Sequence, residues 1–186
     1  MNLVKPSLAL LPSYVTALER GWSPDNLRQE TAAEELAAIA RSPEVFLASL
    51  DDPDANGEPI PLLDGSFAPR LPGFRRWMWD GEFCGSIGFR WARGTPALPA
   101  TCPGHIGYAV VPWKRNRGYA TSALAQILPL ARDRGLPYVD VTTEADNAAS
   151  QRVILKNGGV LVERFAGLFA HGGRETLRFR IDLALG

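Results

Sequence analysis

The sequence predicts a mixed α/β fold, a sheet with helices packed on it and at least one parallel strand pair. Three observations predict it. Between residues 105 and 165, strand-like apolar runs alternate with helical stretches, and single crossover helices of that kind imply parallel neighbours. Residues 75–91 carry two β-rich arms around Asp80-Gly81, a hairpin signal. Near the end of the chain Leu177, Phe179, Ile181 and Leu183 alternate with Arg178, Arg180 and Asp182, the period of a strand with one buried face.

Taken in order, residues 3–11 read as a first strand closed by Pro12, and residues 14–21 as a short helix ending at Gly21. Residues 27–41 read as a helix, with Leu27, Ala33, Leu36 and Ile39 near one face and Glu30, Glu34 and Glu35 toward another. Residues 49–73 are rich in Pro, Gly, Asp and Asn and read as an irregular insertion of turns with room for a small hairpin. Such a long irregular segment is usually functional or mobile. In the hairpin that follows, Asp80-Gly81 supplies the residue types of a type I′ turn, and Ile87, Phe89 and Trp91 share one face. A Pro/Gly-rich loop over 94–104 leads to a strand at 105–111, ended by Pro112. A helix over 118–134 follows, with Tyr119, Ala123, Leu124, Ile127, Leu128 and Ala131 on one stripe and a kink expected at Pro129. Strands are expected at 138–143, 160–165 and 176–183, with a helix at 147–157 stopped by Gly158-Gly159.

The 186 residues suit a single domain over the whole chain, and 46% hydrophobic residues suffice for a sizeable core. Twenty basic residues balance twenty acidic ones, which argues against a nucleic-acid or membrane-surface binder. Cys84 and Cys102 have no metal-ligand spacing and form no disulfide framework. Residues 1–18 are apolar but broken by Pro6 and Pro12, with Glu19 and Arg20 where a cleavage site would need small residues. A cytoplasmic protein without a metal is expected.

The most informative segment is Arg115-Asn116-Arg117-Gly118-Tyr119-Ala120-Thr121, placed between a strand and a helix. The first turn of a helix has unpaired N–H groups and partial positive charge, so a diphosphate set there satisfies both. Gly118 lets the backbone approach, Ala120 is small, and Arg115 and Arg117 offer forked donors suited to phosphate oxygens. There is no Gly-Lys-Ser/Thr and no Gly-x-Gly-x-x-Gly after the first strand, which excludes the nucleoside-triphosphatase loop and the dinucleotide fingerprint.

The run Val110-Val111-Pro112-Trp113-Lys114-Arg115-Asn116-Arg117-Gly118-Tyr119-Ala120 resembles the signature of the GNAT superfamily of N-acetyltransferases: a strand, a proline, then Arg/Gln-x-x-Gly-x-Gly/Ala opening a helix. A second family element is similar too, with Asn147, Ala148, Ala149 and Ser150 followed by Val153, Lys156 and Gly158. The resemblance is closest over residues 105–165, the expected acetyl-CoA-binding core. In wording it is nearest the branch with ribosomal-protein N-terminal acetyltransferases and uncharacterised bacterial acetyltransferases. It implies a six- to seven-stranded, mixed, mostly antiparallel sheet with a splayed parallel pair and helices on both faces. It also implies acetyl-CoA as donor, an amine as acceptor, and a monomer or homodimer.

Residue by residue, the resemblance assigns the pantetheine amides to the backbone of Tyr108 and Val110 and the pyrophosphate to the N–H groups of 115–121. Asn147 would bond the pantetheine, and Ser150 would sit near the thioester sulfur. Direct attack by a neutral amine needs a base, donors for the developing oxyanion and an acid for the thiolate. Many members use a tyrosine on the second motif's helix as that acid, but here the matching residue is Ile154. Ser150 is the expected substitute. His105 is the candidate base because its pKa lies near neutrality, with Glu82 and Glu144 as alternatives, while His171 reads as a loop residue. The aromatics Trp77, Trp79, Phe83, Phe89 and Trp91 fit a core better than an acceptor pocket, which leaves 49–73 to select the acceptor. An acyl-CoA-binding sensor without turnover is the competing reading.

Overall fold

A computed structural model describes residues 1–26, 28–62, 65–166 and 174–183. The order begins with β1 (Asn2–Val4), α1 (Leu11–Glu19), α2 (Thr31–Arg41) and α3 (Pro43–Ser49). Next come β2 (Asp51–Asp52), β3 (Ile60–Pro61), β4 (Phe67–Ala68), β5 (Gly73–Trp79) and β6 (Phe83–Arg90). The second half holds β7 (Ile106–Val110), α4 (Tyr119–Arg132), β8 (Tyr138–Glu144), α5 (Ala148–Lys156), β9 (Val160–Ala166) and β10 (Glu175–Asp182). A 3₁₀ turn, Pro112–Lys114, links β7 to the loop before α4.

The start of the chain differs from the sequence expectation. The first strand stops at Val4, and residues 11–19 are helical. Leu11, Tyr14, Ala17 and Leu18 are all buried, a helical spacing. Pro12 does not close a strand but occupies the first turn of α1, where its missing N–H costs nothing. The second helix begins at Thr31, and Leu27 lies outside the described residues. The short α3 was not expected. Ser42 caps it by accepting from the Val45 N–H, and Pro43 opens it. The Asp80-Gly81 connection is not a type I′ turn: Trp79 pairs with Phe83 across a three-residue loop, and of Asp80 and Gly81 only Gly81 has positive φ.

Every hydrogen-bonded ladder among the described residues is antiparallel. One sheet has the order β1-β5-β6-β7 with β2 also on β5, a second has β8-β10-β9, and β3 pairs β4 as a small hairpin. The α4 crossover sets β7 beside β8, the parallel pair that the element order implies. Between them the described residues share one main-chain bond, from the His105 N–H to the Asp140 carbonyl at 2.7 Å. The two sheets therefore meet at a splayed seam.

Helices cover both faces. On one, Leu124, Ile127 and Ala131 of α4 and Ile154 of α5 pack against Ile87, Phe89, Val139, Val141, Phe179 and Ile181. On the other, Tyr14, Leu18, Ile39 and Phe46 pack against Trp77, Phe83, Ala109 and Val111. Each such large side chain, fully buried, contributes about 1.5–3 kcal/mol relative to exposure. Trp77, Phe83, Phe89 and Trp91 are in this core and Trp79 is packed against it. No helix is long and apolar enough to cross a membrane among the described residues.

Candidate active site

The edge of β7 that faces β8 is open, and the β6–β7 register fixes which residues use it. Arg90 donates its N–H to the His105 carbonyl and Val111 donates to that of Cys84. The His105 carbonyl, the main-chain groups of Gly107 and Ala109 and the Val111 N–H thus face β6, while Ile106, Tyr108 and Val110 turn their main-chain groups into the seam. Two side chains reach those seam carbonyls: Asn26 Nδ2 donates to Tyr108 at 3.2 Å, and Arg115 Nε to Val110 at 3.4 Å.

Beyond β7 the chain bends twice into the left-handed region, at Asn116 (φ 62°) and Gly118 (φ 76°), before α4 begins. Asparagine and glycine tolerate that conformation best. The first intrahelical bond runs from the Ser122 N–H to the Gly118 carbonyl. The N–H groups of Asn116, Arg117, Gly118, Tyr119, Ala120 and Thr121 take no acceptor among the described residues. Arg115 and Arg117 stand exposed beside them. Unpaired N–H groups in this arrangement at a helix start are chemically suited to an anion.

Lys114 is excluded from that role. Its ammonium is buried and bonds Asp80 at 2.6 Å and Glu82 at 2.8 Å, in the β5–β6 turn. Tyr119 donates to the other Asp80 oxygen. Although burial opposes ionisation, the hydrogen bonds from Lys114 and Tyr119 hold the Asp80 carboxyl well below the usual range. Burial opposes the Lys114 charge too, but the bonds it donates to Asp80 and Glu82 hold its pKa above the ordinary value. The turn is thereby clamped to the two sides of the loop before α4.

On the far side of the seam, Asn147 caps α5 by accepting from the Ser150 N–H at 3.0 Å. The Ser150 hydroxyl lies 2.8 Å from that of Tyr108. Burial pushes the Tyr108 pKa up to about 12, so it stays protonated at neutral pH and can donate to Ser150. Sequence reasoning used only the backbone of Tyr108. Its hydroxyl at Ser150 depends on how β7 meets α5, which no local pattern reveals.

His105 is buried, and both ring nitrogens are engaged by main chain. Nδ1 accepts from the Asp140 N–H at 2.9 Å, and Nε2 lies 3.1 Å from the Pro96 carbonyl, which requires Nε2–H. That neutral tautomer leaves no nitrogen for a substrate proton. Burial lowers its pKa. Below the unfolded pKa of about 6.5 the unfolded chain takes a proton that the folded ring resists, so stability falls with pH, by at most about 1.4 kcal/mol per unit. Urea midpoints measured from pH 8 down to 5 should show this slope, and His105→Gln should be less stable at pH 7 with a flatter profile. An unchanged slope in the variant would assign the acid sensitivity elsewhere. Glu82 is paired with Lys114, Glu144 with Arg174 at 3.1 Å, and His171 lies outside the described residues.

The sequence model of the acetyltransferase (GNAT) domain matches residues 25–160. The chain belongs to the GNAT acetyltransferases. No curated protein matches it significantly. Among solved structures this GNAT chain is similar to the microcin C7 self-immunity acetyltransferase MccE, in complex with acetyl-CoA and AMP. The two are 11% identical with a TM-score of 0.63, over 97% of this chain and 91% of MccE. RimL, a ribosomal alpha-N-protein acetyltransferase in complex with coenzyme A, is 12% identical with a TM-score of 0.58, over 97% and 92%. YncA from Salmonella typhimurium, with its cofactor acetyl-CoA, is 15% identical with a TM-score of 0.55, over 98% and 94%. At such identities the likeness is one of fold.

Within the GNAT frame, Ile154 is fully buried in the core below α5. Its position offers no hydroxyl to the seam, and the hydroxyl pair there comes from Ser150 and Tyr108.

Proposed function

We propose that residues 1–186 act as one cytoplasmic N-acetyltransferase domain that moves an acetyl group from acetyl-CoA to a primary amine by direct attack. The observation that carries this reading is the run of unpartnered N–H groups from Asn116 to Thr121, at the mouth of a seam lined by the main chain of Tyr108 and Val110. The pyrophosphate takes the loop, with Arg115 and Arg117 as counter-ions, and the pantetheine amides replace Asn26 and Arg115 on the seam carbonyls. Asn147 flanks the pantetheine.

In the reaction the amine lone pair attacks the thioester carbon, the C–S bond breaks and its electrons go to sulfur. The nitrogen loses one proton and the sulfur gains one. Tyr108 donates to the Ser150 oxygen, which leaves the Ser150 proton directed at the departing sulfur. With both His105 nitrogens occupied, we assign His105 a structural role and give the amine proton to water. Ser150→Ala should lower kcat about 100-fold with acetyl-CoA affinity unchanged, and Tyr108→Phe should lower it less. Normal turnover in Ser150→Ala would remove this hydroxyl from the chemistry.

A second reading has a specific basis. Ile154 replaces the tyrosine acid, and Glu82 and Glu144 are tied up in ion pairs, which fits an acyl-CoA-binding sensor. Calorimetric titration of acetyl-CoA, run beside thiol release over a panel of amines and peptides, separates the two. Binding without turnover favours the sensor, and no binding refutes both.

A further inference from the structure

The sheet face toward α1–α3 holds a second concavity, built by the insertion at 49–73. Its β2 strand pairs with β5, and its β3–β4 hairpin joins β5 and β6 in lining an open cavity of about 320 Å³, within the range of small-molecule pockets. Among the described residues that line it, three are arginines, Arg70, Arg75 and Arg90, and one is a carboxylate, Asp52. Arg75 is answered by Glu35 at 2.8 Å, and Arg70 more loosely by Asp52 at 4.0 Å. The Asp52 oxygens are already taken by the N–H groups of Asn56 and Gly57, at 2.8 and 3.0 Å.

Arg90 has no carboxylate partner among the described residues. Its contact is Cys102, whose Sγ lies 3.9 Å from Nη1. The side chain is half-buried, where an unanswered charge is costly. Its Nη2 lies over Gly88 and Gly107, which pair across β6 and β7; a Cβ built at Gly107 would stand 3.5 Å from it. Gly107 adjoins Tyr108, whose main chain faces the seam. The guanidinium therefore hangs over bare backbone next to the position assigned to the pantetheine arm.

We propose that this cavity binds the acceptor by an anionic group, with Arg90 as its counter-ion, so that the acceptor is a small amine that also carries a carboxylate or phosphate. This rests on the acetyl-transfer reading above. A planar fork of donors suits either oxyanion, and the excess of arginine over acid disfavours a purely cationic amine.

The test pairs each anionic amine with its neutral counterpart: β-alanine with its carboxamide, and phosphoethanolamine with ethanolamine. Binding to the acetyl-CoA-loaded protein is followed by calorimetry, and turnover by thiol release. The anionic member should bind about 10- to 100-fold more tightly, and Arg90→Gln should erase that preference while leaving acetyl-CoA affinity intact. Arg90→Lys, which keeps the charge but not the fork, should retain part of it and serves if the Gln variant misfolds. Which anion gains more distinguishes carboxylate from phosphate. An Arg90-dependent preference without turnover would leave the cavity assignment standing and sink acetyl transfer. Turnover without any anionic preference, or a preference that survives Arg90→Gln, would overturn the cavity assignment and spare the enzyme.

Discussion

Gly85→Ala is expected to cost about 3 kcal/mol or more and to weaken acetyl-CoA binding over tenfold. Gly85 has φ 150°, a region L residues rarely enter, and it pairs with Val110. A Cβ there would stand 2.3 Å from the Ala109 carbonyl oxygen and 2.8 Å from the Val110 Cα, both main-chain atoms. Relief requires β7 to move away from β6, and β7 is the strand whose far edge lines the seam. Stability and coenzyme affinity should therefore fall together, read by urea midpoint and calorimetry. A variant with a wild-type midpoint would mean that β6 and β7 separate without cost, contrary to the packing described.

The second large effect is expected at Lys114. Lys114→Met leaves the exposed Asp80 carboxylate with Tyr119 and the Cys84 thiol as its remaining side-chain partners and should cost about 2 kcal/mol, the order of a lost hydrogen bond between charged groups. Asp80→Asn combined with Lys114→Met removes both charges and should recover a good part of that loss. A double-mutant cycle in urea checks it, and losses that simply add would rule out the coupling. The pH dependence has two sides. The depressed Asp80 carboxyl contributes stability above its unfolded pKa of about 3.9 that is lost as pH falls below it. The raised Lys114 ammonium contributes stability below about 10.4 that is lost at higher pH.

Those residues also mark where sequence reading stops. The stripe of α4, the alternation of β10 and the loop at 115–121 were legible because each is set by neighbours within a few positions. The start of α1 was hidden because the apolar run before Pro12 suits either a strand or a helix. The signal for α3, Ser42-Pro43-Glu44, stands in the sequence but is short and adjoins a Pro/Gly-rich stretch. The Lys114–Asp80 pair spans 34 positions and the Tyr108–Ser150 contact 42, so neither leaves a local trace. His105 looked available because a strand start says nothing of what covers it; Pro96 and Asp140 do.

The seam has a consequence for the life of the protein. Among the described residues β7 and β8 share one main-chain bond across the seam, and a coenzyme arm bonded along one edge, as proposed above, would supply the missing crosspiece. By mass action, a ligand present at 100 times its Kd adds about 2.7 kcal/mol to the folded state. The resting protein would then be most vulnerable to proteolysis when the cell is starved of acetyl-CoA, and its abundance would follow the supply of its own donor.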